Sequence, residues 1–140
     1  LLNWDGVTVQ KEGDTLKMVD TDSSLDVSSL LANNPALTIH QVDMQGAGNN
    51  ILNIHDILDL SGSDIPFMIK GDLGDEVRLQ QAMDSLLGAQ NSSVVVDGVN
   101  HLTDAEGHTA IGADSYMVYK SVDGLHTLLV ESEVVLNFMR

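Results

Sequence analysis

The chain has 140 residues, room for one domain with a real core and too short for two full ones. Its 21 acidic residues against 6 basic ones leave a formal net charge of -15. That argues against nucleic acid and anionic membrane surfaces as partners, because both are gripped through Lys and Arg. With no cysteine there is no disulfide framework, thiolate zinc site or cysteine nucleophile. Hydrophobic residues make up 43%, which rules out a disordered acidic tail. No apolar run approaches the roughly 20 residues that span a bilayer, and the opening Leu-Leu-Asn-Trp is not a signal peptide.

Alternating or β-branched runs predict strands at Val7–Gln10, Thr15–Val19, Leu37–Met44, Ile51–Ile54, Phe67–Lys70 and Glu76–Leu79, then at Ser93–Asp97, Tyr116–Lys120 and Leu125–Glu131. Turn signals separate them: Glu12-Gly13-Asp14, Gly46 to Asn50, Ser61 to Asp64, Gly71 to Asp75 and Asp97-Gly98. Asp123-Gly124, between two strands, reads as a hairpin turn. Three short helices are expected. Asp26 caps one over Val27–Ala32, Asn53 or His55 opens one over Asp56–Leu60, and Gln80–Leu87 follows a strand. The span Leu87–Asp114 reads as a loop containing one strand. Aromatic residues are 4%, so the core is aliphatic and the Met residues are core filler.

A shift of 30 residues lays Asp26 on Asp56, Val27 on Ile57, Leu30 on Leu60, Asn34 on Asp64, Leu37 on Phe67 and Ile39 on Ile69. Each copy reads as a capped short helix, a polar turn and a strand. Such a period suggests stacked units that bury their apolar faces on one another. On this reading Leu37–Ile39 and Phe67–Ile69 are equivalent strands. The fold class is mainly β with two or three short helices, as a short solenoid-like stack of strands in one domain, 1–140, cut from a longer chain.

The stretch from Ile39 to Ser61 contains Val42-Asp43-Met44-Gln45-Gly46-Ala47-Gly48-Asn49-Asn50-Ile51-Leu52 and then Asp56-Ile57-Leu58-Asp59-Leu60-Ser61. It is followed by Gly71-Asp72-Leu73-Gly74-Asp75-Glu76-Val77-Arg78-Leu79, by Tyr116-Met117-Val118-Tyr119 and by Leu128-Leu129-Val130-Glu131. In this order the motifs resemble segments of RTX adhesins, very large bacterial surface proteins exported by type I secretion. The resemblance covers roughly residues 20 to 135. It implies an extracellular location, cell adhesion and calcium. The tandem calcium nonapeptides of that family are missing. Gln45–Asn53 looks like one degenerate copy, with Gln45 for the first Gly and Asn50 for the Asp, and one copy cannot build the family's array.

The acids themselves also suggest a cation: 16 are Asp and 5 Glu, and Asp is a short-armed ligand for calcium, which takes six to eight oxygens from a curling turn. Candidate ligands are Asp72 with Asp75 around Gly74, Asp20 with Asp22, and Asp43 with Asn50 and Asn49. The bland alternative is a solvated Asp turn whose side chains bond their own backbone. His40, His55, His101, His108 and His126 lack zinc spacing, and there is no G-x-S-x-G elbow or Walker loop. Gly46-Ala47-Gly48 lacks the third Gly of a dinucleotide loop. The reading is therefore a non-enzymatic structural or spacer module of a surface-attached, calcium-dependent adhesin, contacting neighbouring modules of its own chain. The alternatives are a calcium-dependent module binding a cell-surface sugar or peptide, and a polysaccharide-acting enzyme.

Overall fold

The structure, a computed structural model, describes residues 1–46, 48–60 and 65–140. The turn expected at Ser61–Asp64, and Ala47, lie outside them. The elements are β1 (Leu2–Trp4), β2 (Val7–Glu12), β3 (Thr15–Met18), β4 (Ser24–Asp26), α1 (Val27–Asn33), β5 (Gln41–Asp43), β6 (Ile51–Ile54), β7 (Phe67–Lys70), β8 (Glu76–Leu79) and β9 (Leu86–Gly88). After them come β10 (Ser93–Val96), β11 (Val99–Leu102), β12 (His108–Ile111), β13 (Asp114–Ser121), β14 (Thr127–Glu131) and β15 (Val135–Phe138). Single 3-10 turns sit at Ile57–Asp59 and Met83–Ser85. The molecule is mainly β, as its alternating runs require.

From β3 onward the chain passes repeatedly between two sheets. In the larger sheet the order is β1-β2-β3-β5-β7-β14-β13-β12, with β9 also paired to β13. The smaller is β15-β8-β6-β4. The neighbours β3, β5, β7 and β14 are parallel, as are all four strands of the smaller sheet. Register lines up Leu16, Val42, Ile69 and Val130 on one side of the core, and Leu25, Leu52, Val77 and Leu136 on the other. All but Leu136 are buried, and they share one cluster. Each such aliphatic side chain contributes about 1.5–3 kcal/mol by leaving water.

A parallel sheet ordinarily has both faces covered. The larger sheet obeys in part: the outer face of β7, β14 and β13 packs Met68, Leu129, Tyr116 and Val118 against Val94 and Val96 of the β10–β11 hairpin, while that of β3 and β5 carries Lys17 and Asp43. That hairpin turns at Asp97 and Gly98, with φ of 50° and 78°, the left-handed pair a tight hairpin needs. The smaller sheet keeps a solvated outer face tied by polar side chains instead. Asn53 Nδ2 donates to Ser24 Oγ at 2.8 Å, Asn137 Nδ2 to Glu76 Oε2 at 2.6 Å and Arg78 Nε to the same oxygen at 3.0 Å.

Several expectations change. Asp26 does cap α1, accepting from Ser29 N at 2.9 Å, and Asp56 caps the Ile57–Asp59 turn. Strand register, however, steps by 26 residues from Leu16 to Val42 and by 27 from Leu25 to Leu52. Ile69 therefore pairs with Val42, and Leu37–Ile39 is not a strand equivalent to Phe67–Ile69. The caps coincide at 30 because β6 continues through Ile54, so its helical turn starts later relative to the strand than α1 does after β4. Gln80–Leu87 forms a short 3-10 turn that runs into β9, where Leu86 and Leu87 pair with Ser121 and Lys120. Pairing with β13 overrides the helical pattern, and Met83 and Leu87 stay exposed. The span 87–114 holds β10, β11 and β12 rather than one strand.

Candidate functional site

Where the chain leaves the larger sheet for the smaller it turns at 19–23, at 44–46 and 48–50, at 71–75 and at 132–134. The last residue of each stands beside its counterpart in the next. Ile51 N donates to Ser23 O, Glu76 N to Asn50 O and Val135 N to Asp75 O. Side chains reinforce this stack. Asn50 Oδ1 accepts from Ser23 N at 2.8 Å and from Ser23 Oγ at 3.2 Å. Asp75 Oδ1 accepts from Asn50 N at 2.8 Å and Oδ2 from Asp72 N at 2.7 Å. Asn50 and Asp75 are both 0% exposed.

A second set of bonds clasps the outer part of the turns. Asn49 N donates to Asp22 Oδ1 and Gly46 N to Asp72 Oδ2, each at 2.8 Å. Asp22 (φ 54°) and Gly74 (φ 97°) hold left-handed conformations that bend the turns. Gly71 is required by space: a Cβ there would lie 2.6 Å from Val134 Cγ2.

The six residues expected to bind calcium thus divide. Asp22, Asn50, Asp72 and Asp75 come together across the stacked turns. Asp20 points back to β2, accepting from Thr8 N at 2.7 Å. Asp43 lies on the outer face of the larger sheet as register neighbour of Lys17 and Lys70, and accepts from Gln45 N at 2.8 Å. Among the described residues no three His, Asp or Glu side chains form a metal-binding group. The oxygens named here accept from backbone N–H donors.

Glu131 and Gln45 complete the clasp, and the sequence patterns did not single them out as a pair. Gln45 Nε2 donates to Glu131 Oε1 at 3.1 Å across 86 residues of sequence. Glu131 also accepts from Gly71 N. Glu131 as a whole residue is 6% exposed. Burial raises its pKa above the ordinary 4.5, and Asp114, Glu133 and Asp72 push the same way against the Gly71 bond. Burial likewise raises the Tyr116 hydroxyl, helped by Asp114, Glu131 and Asp43. Lys70 Nζ, 4.0 Å from Asp114 Oδ2, is the nearby countercharge.

Two histidines meet carboxylates. His55 Nε2 lies 2.8 Å from Asp26 Oδ2 and His40 Nδ1 lies 3.4 Å from Asp14 Oδ2. His55 also borders an open cleft of about 590 Å³ with Gln80, Gln81, Ser85 and Arg140. Among the described residues no helix is long and apolar enough to cross a membrane. No protein-family model matches this chain, and comparison with the curated proteins and with the solved structures gave no match.

Proposed function

We propose that the chain is a non-enzymatic structural module of an extracellular bacterial adhesin resembling the RTX type, and that its stacked turns are its working part. The observation that carries this reading is the Ser23–Asn50–Asp75 stack, in which each side chain closes the turn before it. Side-chain oxygens of Asp22, Asn50, Asp72 and Asp75 accept from backbone N–H groups, while the buried Asn50 Nδ2 has no partner among the described residues; these bonds hold the chain in place rather than presenting a reactive cleft. In this reading the two parallel ladders are passes of a short coil, and the clasp does the work that the resemblance assigns to calcium. Such a coil suits a spacer that separates neighbouring modules of a long surface chain.

The test is unfolding of the purified chain with Asn50→Ala, Asp75→Ala and an exposed control, Asp84→Asn. The turn variants should lose much of the stability and the control almost none. Equal stability in all three would remove the basis of the reading.

A second reading, a module that grips a surface glycan, is favoured by the cleft of about 590 Å³, whose His55, Gln80, Gln81 and Arg140 offer convergent polar groups. Glycan-array binding that Gln81→Ala abolishes would select it.

A further inference from the structure

The two sheets end unevenly at the C-terminal side of the stack. Beyond β14 the larger sheet continues with β13 and β12, whereas the smaller sheet stops at β15. Val135 N donates to Asp75 O at 3.1 Å and Met139 N to Leu79 O at 2.9 Å. In a parallel ladder one residue's N–H and C=O point the same way and alternate residues point oppositely. The backbone groups of Leu136 and Phe138 are therefore directed away from β8, along an open edge. Edge strands are commonly blunted by Lys, Pro or a bulge, but Val135, Leu136, Asn137 and Phe138 carry no charge and β15 pairs in unbroken register.

Beneath that edge lies an overhanging floor. Met117, Tyr119 and His108 share the inner face of β13 and β12. With Val134 and Leu136 they line a cavity of about 220 Å³. Tyr119 meets Phe138 edge to face at 6.3 Å and closes one end. Edge and floor together have the form of a slot for one more strand of the smaller sheet.

We propose that this slot takes up an extended, basic segment of a partner polypeptide by strand addition. The overhang selects the occupant. A second folded copy bringing a sheet edge to β15 would have to clear the overhanging β13 and β12, whereas a lone strand needs only the width of the slot. A second copy would also bring its own -15 charge. The exposed Glu133 stands two residues before β15 and the chain as a whole carries -15, so Lys or Arg flanking the strand is matched in charge. Alternate apolar side chains would rest on Met117 and Tyr119, and main-chain bonds to Leu136 and Phe138 would supply affinity that is tolerant of sequence. This inference is independent of the adhesin reading.

The probe is a fluorescent peptide, Lys-Lys-Thr-Val-Thr-Leu-Thr-Lys, titrated into the 140-residue chain. Hydrogen exchange of assigned amides is followed by NMR. Saturable binding is expected, with slowed exchange at Leu136 and Phe138. Affinity should fall about tenfold or more when the peptide's Lys residues become Glu, and should vanish when its alternate amides are N-methylated. Leu136→Pro removes an outward N–H and no ladder bond, and should abolish binding with the β-sheet circular dichroism intact. Because that variant also trims a packed side chain, exposed Glu133→Lys serves beside it and should weaken the basic peptide alone. No binding at millimolar peptide, protection elsewhere, equal affinity for acidic and basic peptides, or dimerisation through β15 in sedimentation would each overturn the proposal.

Discussion

Asn50 donates its backbone N–H to Oδ1 of Asp75 at 2.8 Å, with both residues fully withdrawn from solvent. The other oxygen of the same carboxylate accepts from Asp72 N at 2.7 Å. One short side chain thereby closes its own turn and holds the turn before it. Asp suits the position because a carboxylate accepts on both oxygens, whereas an amide presents an acceptor on one side and a donor on the other.

Asp75→Ala leaves the buried Asn50 N–H and the part-buried Asp72 N–H without acceptors. Each costs about 1–3 kcal/mol, so urea unfolding should show a loss of about 3 kcal/mol or more at unchanged m-value. Asp75→Asn retains one acceptor and should fall between Ala and the parent. A loss below about 0.5 kcal/mol for Ala would mean the stack contributes little.

Gly74 sits at φ 97° with the Asn49 side chain where a Cβ would be, whereas Gly124 sits at φ 74° with nothing within 4 Å. Both positions strain an L residue, so the difference between them isolates the contact. Gly74→Ala should destabilise more than Gly124→Ala, by about 1 kcal/mol or more. Equal losses would show that Asn49 simply moves aside.

Leu52 is fully buried at the centre of the smaller sheet and Leu58 is half exposed on the following turn. Leu52→Ala should cost about 2–5 kcal/mol. Leu58→Ala should stay within about 0.5 kcal/mol. Thermal melts of the two variants check the order, which the account requires.

Stability should peak in mild acid. The raised Glu131 carboxyl means that the folded state holds this proton more tightly than the unfolded one. Stability therefore rises as pH falls from neutral through the raised value. Glu76, Asp104 and Asp123 are shifted down: Glu76 mainly by its bond from Arg78, Asp104 by backbone bonds from His108 and Glu106, and Asp123 by the Ser121 hydroxyl and Leu125 N. Their contributions are present above the ordinary carboxylate range and are lost as pH falls through it. Melting temperature against pH should thus rise and then fall on acidification. Glu131→Gln should flatten the neutral-side slope. An unchanged slope would assign it to the general charge of -15.

The strands that face a core on one side were legible because their period of two is written in the side chains. Thr15–Met18, Ile51–Ile54 and Glu76–Leu79 all show the alternation and its matching burial. Short or pairing-dependent strands were not: Ser24–Asp26 and Leu86–Gly88 are three residues each and owe their form to β6 and β13. The Asp-rich turns were legible as places where chemistry concentrates. Composition alone does not say whether such oxygens face an ion or an N–H group, since both are short polar contacts in a curled backbone. The role of Asn50, a neutral residue in a ligand position, appears only once Ser23 and Asp75 are seen on either side of it. Glu131 and Gln45 meet across 86 residues, a separation for which no local pattern exists.

The most direct measurement is the melting temperature of the chain in millimolar calcium, in sodium at matched ionic strength and in EDTA. An ion bound only by the folded state at 100 times its Kd would add about 2.7 kcal/mol, several degrees for a domain of this size. If the side-chain clasp holds the turns, the calcium and sodium curves coincide, EDTA changes nothing, and Asp75→Ala lowers all three equally. A calcium-specific rise of several degrees that disappears in Asp72→Asn would contradict the account and make the turns a metal site.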